Sequence, residues 1–247
     1  MDKKINGIQL EICANSLASA LIAQEAGASR IELCTNLENG GTTPSYGQIK
    51  LVKEKLHIGV NVLIRPRGGD FVYDESEWEA IKEDVLFCKE LKCESIVFGA
   101  LLPDGNVDLE KMEEIISLAS PMKVVFHRAF DKCLDAEKAL EEVISLGCIR
   151  ILTSGLADTA LEGKNRLQTL QQQSNGRIEI MPGAGVNNEN ILEILHHTGC
   201  TSIHASAKET ISSSMTYDQP HVSDMNETTF RTSKKKVEEL VHLLKNS

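Results

Sequence analysis

No stretch of this sequence is long and apolar enough to cross a membrane as a helix. The longest nearly uncharged apolar run, Ser95 to Leu102, falls far short of the ~18 residues a span needs. The N-terminal MDKKINGIQLEIC is basic but has neither a long apolar segment nor a small-residue cleavage site, which predicts that no secretory signal is present. A surplus of positive charge is also missing. With 26 basic and 36 acidic residues the net charge is −10, the opposite of what a generic nucleic-acid or anionic-membrane binder carries. Nucleic acid and membrane are therefore not expected partners, although a local basic pocket on an acidic protein is still allowed. The seven cysteines are odd in number and contain no CxxC, so a disulfide framework is not expected and the thiols read as reduced and cytosolic. No low-complexity linker divides the 247 residues. Neither a P-loop nor an ordered Ser-His-Asp set appears, and kinase and serine hydrolase readings have little support.

What is present is an alternation. Short apolar, β-rich runs recur eight times: 8–13, 30–34, 59–64, 95–98, 123–127, 150–153, 178–181 and 201–205. Their starts lie about 22 to 36 residues apart, the size of a βα unit. Amphipathic segments fill the intervals. Asp74 and Glu77 stand at capping-box spacing, Asp135 opens a segment that Gly147 closes, and Asp108 and Asn188 take similar starting positions. A last helix is predicted from about Ser233 to Lys245. Eight such units in about 250 residues predict a single-domain α/β protein, a (β/α)8 TIM barrel over 1–247, with an open doubly wound sheet as the competing arrangement. The segments after strands are rich in Gly, Asn, Thr and Arg, and in a barrel they gather at the rim where active sites sit. The longest irregular stretch, about Glu209 to Arg231, reads as a lid or a disordered insert before the last helix.

Strand alternation assigns faces. If Leu10, Ile12, Ile31 and Leu33 turn toward the helices, then Glu11, Cys13, Glu32 and Cys34 turn into the lumen, so the first two strands carry the same Glu-x-Cys word. The same rule sends Asn61, Leu63 and Arg65 inward from the third strand, puts Val125 and His127 on one face, and points Ser202, His204 and Ser206 inward. Arg67 follows in the loop, and Arg128 is a further candidate for the rim, although alternation alone turns it outward. Simple barrel cores are filled by branched apolar residues, so this many ionisable groups require either compensation or a role. Compensation would be a buried network in which Glu11 and Glu32 pair with Arg65 and Arg67. A role would be a functional site.

The ordered set EICANS, RIELCTNLENGGTTPS, VLIRPRGGDFVY, VFHRAFD, RILTSG and MPGAGVN resembles the CutC family of copper homeostasis proteins, from about Ile8 to Lys208. The resemblance implies a TIM barrel, a cytosolic location, a part in copper tolerance or trafficking, and an enzyme-like barrel.

Two chemistries follow. In the first, Cys13 and Cys34, which match the cysteines of the family-like Glu-x-Cys words, hold Cu(I): thiolate is a soft ligand that suits it, and neighbouring strands are ~4.8 Å apart. Two small buried hydrophobes are the plain alternative. In the second, the barrel is an enzyme for a small anionic molecule, a carboxylate or a phosphate. Arg65 and Arg67 clamp the anion, Gly183 and Gly185 offer backbone N–H groups after the seventh strand, and Glu11 and Glu32 supply acid and base with His127 or His204 assisting. The same Glu and His side chains also suit a divalent metal. Lys208 keeps a Schiff-base reading open. A purely structural or protein-binding barrel is the third class, and a homodimer is expected as the commonest soluble assembly.

Overall fold

Residues 4–217, 221 and 229–247 are described by a computed structural model of the protein. The eight apolar runs form eight parallel strands: β1 (Gln9–Ala14), β2 (Arg30–Leu33), β3 (Gly59–Leu63), β4 (Ser95–Phe98), β5 (Lys123–Phe126), β6 (Arg150–Thr153), β7 (Glu179–Pro182) and β8 (Ser202–Ala205). Their hydrogen-bonded order is β7-β6-β5-β4-β3-β2-β1-β8. β7 packs beside β8, which brings the sheet round into a (β/α)8 barrel. The helices α1 (Leu17–Glu25), α2 (Tyr46–Lys55), α3 (Glu75–Glu90), α4 (Leu109–Ala119), α5 (Ala136–Ser145), α6 (Lys164–Ser174), α7 (Ile191–Thr198) and α8 (Lys234–Lys245) cover the outside. Among the described residues no helix is long and apolar enough to cross a membrane.

Local chemistry places the helices. Asp74 and Glu77 form the capping box of α3, and Asp108 and Asp135 accept backbone N–H bonds at the starts of α4 and α5. α7 differs from expectation. Asn190 is its N-cap, and Asn188 lies in the preceding loop, where Asn190 Oδ1 accepts from the Asn187 N–H. The main core lies between strands and helices, where Leu10, Ile12, Ile31, Leu33, Val60 and Val62 are buried. A smaller cluster of Cys13, Cys34, Leu63, Val97 and Val125 lies inside the barrel.

The stretch read as irregular carries structure at both ends. β9 (Lys208–Ile211) pairs antiparallel with β10 (Thr229–Thr232), held by a Glu209–Arg231 ion pair and by Lys208 over the Phe230 ring. Neither strand has an apolar period that could be read, because each is only four residues long and most of their residues are half-buried or exposed. Most of the lid-or-insert expectation for 209–231 falls on 218–220 and 222–228, outside the described residues.

Candidate functional site

The lumen holds two polar layers. The lower is built around Glu11, which stands level with Arg30 on β2 and His204 on β8. Its Oε2 accepts from Arg30 Nε at 2.6 Å and from Asn61 Nδ2 at 2.6 Å, and its Oε1 meets His204 Nδ1 at 2.9 Å. Arg30 also donates to Ser202 Oγ at 2.6 Å and lies 3.7 Å from Glu179. Arg150 pairs with Glu179 and reaches within 3.9 Å of Glu11. Ser95 Oγ donates to Asn61 Oδ1. Burial by itself would raise the Glu11 carboxyl; the Arg30 charge, the His204 hydrogen bond and charge, and Arg150 more than offset it and hold the group well below the usual carboxylate range. The compensating network weighed from sequence thus exists for Glu11, but with Arg30 and Arg150 in place of Arg65 and Arg67.

The upper layer is one step nearer the C-terminal rim. Cys13 is level with Glu32, and Cys34 follows β2 with its N–H bonded to the Ala14 carbonyl. The two Sγ atoms are 3.3 Å apart, in hydrogen-bond contact, and both thiols are free. Ligand atoms of Cys13, Glu32 and His204 all lie within 4.8 Å of one another, with His204 Nε2 3.9 Å from Glu32. The hydrogen bond with Cys34, then burial, push the Cys13 thiol well above its ordinary pKa. Burial raises Glu32. Burial opposes a charged His204, yet Glu32, Cys13 and Glu11 surround the ring and raise its pKa well above the ordinary value. Glu11 on Nδ1 turns Nε2 toward Cys13 and Glu32, the carboxylate–histidine arrangement that orients a metal-binding imidazole.

These groups form one wall of a cavity of about 190 Å³, and Arg65, His127 and Arg128 form another. Arg65 is 6% exposed; its Nη1 donates to the Asn39 and Gly41 carbonyls and its Nη2 to Gly69. Its Nε is buried without a partner. His127, 4% exposed, accepts the Ala129 N–H on Nδ1 at 3.2 Å, so its proton is on Nε2, which is also buried without a partner. Burial, then the Arg65 charge, push the His127 pKa down to about 3, leaving a neutral ring. Gly99 makes room for it: a Cβ there would stand 2.8 Å from Nδ1.

The remaining candidates divide between the cavity and its surroundings. Arg67 turns outward to Glu77, Asp70 and the Val72 carbonyl. Gly185 lines the cavity beside Ala184, both with left-handed φ. Gly183 packs under it, where a Cβ would meet Leu152 at 2.5 Å. Arg128 does reach the rim, because it begins a 3-10 turn where strand alternation no longer applies; it donates to Asp131 at 2.7 Å and to Ser154. Two functional groups were missed from sequence. Arg30 had a readable signal, since it shares the parity of Glu32 and Cys34. Phe71, which touches both Arg65 and His127, had none, because it folds back from a loop.

The sequence profile of the CutC family matches residues 8–209. A CutC family protein of Xylella fastidiosa strain Temecula1 is 48% identical over 235 residues, covering 95% of this chain and 88% of that one. One from Bacteroides thetaiotaomicron is 47% identical over 216 residues, 87% of each chain. Among solved structures, a protein of Streptococcus agalactiae described as a copper homeostasis protein CutC aligns with TM-score 0.77 at 39% identity, over 80% of this chain and 97% of that one. Phosphoribosylanthranilate isomerase of Thermotoga maritima aligns with TM-score 0.59 at 13% identity, over 97% of this chain and 100% of that one, a likeness of fold alone.

Proposed function

The chain belongs to the CutC family of copper homeostasis proteins, and from that premise we propose that it binds Cu(I) at the rim, through the thiolates of Cys13 and Cys34 with His204 Nε2 beside them. One observation carries the reading: two free thiols from adjacent strands meet at 3.3 Å next to an imidazole already oriented by Glu11. The donors fit a soft monovalent ion. Two thiolates at that separation would repel, and the pair stands in contact as hydrogen-bonded thiols. A metal cation takes the place of the protons on these donors, one from each thiol, so binding releases protons. Two metal–thiolate bonds of ~2.3 Å require the sulfurs to part by roughly 1 Å, a movement a side-chain rotation supplies. Glu32, raised by burial, and Glu11 then balance the charge.

The reading belongs with a cytosolic protein, since an unbonded thiol pair this close persists in a reducing compartment. Copper is the cargo in this reading, and the barrel supplies a dry, pre-formed seat for it. The test is an anaerobic Cu(I) competition titration against a chromophoric chelator, on wild type and on Cys13→Ser/Cys34→Ser, with circular dichroism to confirm folding. We expect one tight equivalent in the wild type and its loss in the double variant. Equal affinity in both proteins would sink the reading.

A further inference from the structure

Among the described residues, every charged side chain of the cavity and its floor except one has an opposite charge against it. Glu11 and Glu179 answer Arg30 and Arg150, His204 lies between Glu11 and Glu32, and Arg128 holds Asp131. The exception is Arg65. The acids near it, Asp70 and Glu77, are taken by Arg67, and Arg65 spends its Nη groups on three backbone carbonyls. Of the five N–H donors of a guanidinium, these three are used. The Nε–H and one of the two Nη2–H groups are left, and a carboxylate is an acceptor that a guanidinium engages. A buried cation without a counter-ion is costly, and this one lines a cavity.

His127 supplies a second open donor on the same wall. Its tautomer is set by the Ala129 N–H on Nδ1, so Nε2 can only donate, and no described residue accepts from it. Phe71 stands between the two groups, with its ring centre 4.9 Å from the Arg65 guanidinium carbon and 4.9 Å from the His127 ring centre, so they form one rigid wall. Thr43 fixes the backbone of Arg65 from both sides, its hydroxyl accepting the Arg65 N–H and its own N–H donating to the Arg65 carbonyl. Two donors without a described partner, on side chains more than nine-tenths buried that both line one cavity, make a built acceptor site.

We propose that this cavity binds the carboxylate of a small organic acid, gripped by the free donors of Arg65 and the Nε2–H of His127. The charge count selects the ligand: one uncompensated cation and one neutral donor match a monoanion, and a phosphate dianion would leave a charge unanswered. Size limits it too, because about 190 Å³ is below the ~300–1,000 Å³ of pockets for drug-sized ligands. Apolar Leu37, Leu152 and Val186 line the same space, which suits a short carbon skeleton. The rest of the acid then points toward Cys13, Glu32 and His204 on the opposite wall. The reading stands independently of Cu(I), and it is tested on metal-free protein.

The experiment is a long-range 1H–15N histidine spectrum of reduced, metal-free, 15N-labelled protein, titrated with pyruvate and, separately, with inorganic phosphate. The expected result is a saturable shift of the His127 Nε2 resonance by pyruvate with a dissociation constant of ~1 mM or tighter, and none by phosphate at the same concentration. By calorimetry, Arg65→Gln weakens pyruvate at least ~10-fold, and His127→Phe weakens it several-fold. Because Arg65 also ties three carbonyls together, the wild-type spectrum and His127→Phe decide the matter if Arg65→Gln fails to fold. A wild-type His127 signal unmoved by pyruvate, acetate and malonate overturns the proposal. So does phosphate binding in preference to all three, or pyruvate affinity unchanged in His127→Phe.

Discussion

The two polar layers of the lumen lie one above the other in the same largely buried interior, yet they are satisfied very differently. In the lower layer Glu11, Arg30, Asn61, Arg150, Glu179 and Ser202 close on one another across β1, β2, β3, β6, β7 and β8. In the upper layer Cys13 and Cys34 have mainly each other, His204 stands among acceptors, and Arg65 Nε and His127 Nε2 have no partner. Burial alone does not mark a functional group. A buried network that is complete within the protein holds the barrel, and one left open at a cavity is complete only with a ligand.

The sharpest way to break this comparison is to open the lower layer. Glu11→Ala leaves Arg30 and Arg150 facing each other with only Glu179 between them, and it frees His204 from its orienting carboxylate. Removing one partner of a buried ion pair typically costs roughly 3–5 kcal/mol. We expect a loss of that size in urea unfolding at pH 7, together with weakened Cu(I) binding in whatever fraction remains folded. A loss below about 1 kcal/mol would mean the lower layer is not structural.

The upper layer responds to acid instead. His127 is neutral in the fold with a pKa of about 3 and titrates near 6.5 when unfolded. The unfolded chain therefore binds the extra proton between those values. The stabilising contribution is complete above pH 6.5 and is lost as pH falls toward 3. Between pH 7 and pH 4 this amounts to roughly 3 kcal/mol. Denaturant unfolding at the two pH values should show it in the wild type and show a loss smaller by about that amount in His127→Phe. Parallel acid limbs in the two proteins would remove His127 from the account.

How far the site was legible follows from what alternation encodes. Parity gave the face of Glu11, Cys13, Glu32, Cys34, Arg65 and His204, but parity is blind to depth. Glu11 and Cys13 share a face and lie in different layers, because each step of two residues along a tilted strand climbs one level. Partner choice was also hidden. Glu11 meets Arg30 and Arg150 through the β1–β2 register and across the lumen, neither of which local sequence specifies. The barrel itself was readable from eight β-to-helix alternations, whereas β9 and β10 were not, since two four-residue strands of mostly half-buried and exposed residues carry no apolar period.

A smaller perturbation concerns space. Gly99→Ala places a Cβ 2.8 Å from His127 Nδ1 and 3.2 Å from Ala129 Cβ. His127 must rotate or the strand end must shift, at a cost of ~1–3 kcal/mol. We expect the His127 Nε2 resonance to move and pyruvate affinity to fall while Cu(I) binding, on the opposite wall, is retained. Loss of both together would show that the two walls are one mechanical unit.

The smallest effect separates two residues that read identically in sequence. Arg65 and Arg67 flank Pro66, and either suits an anion clamp. In the fold Arg65 is buried with open donors, whereas Arg67 is more than a third exposed and occupied by Glu77, Asp70 and the Val72 carbonyl. Arg67 thus ties the loop after β3 to the start of α3, in an exposed network whose worth is ~1 kcal/mol or less. Arg67→Ala should lower the melting temperature slightly and, by calorimetry, leave pyruvate affinity within about 2-fold of wild type, against the ~10-fold loss set for Arg65→Gln. A loss in Arg67→Ala equal to that in Arg65→Gln would place both guanidiniums on the ligand and enlarge the site to the exposed loop; the outcome expected here confines it to the buried wall of Arg65, Phe71 and His127.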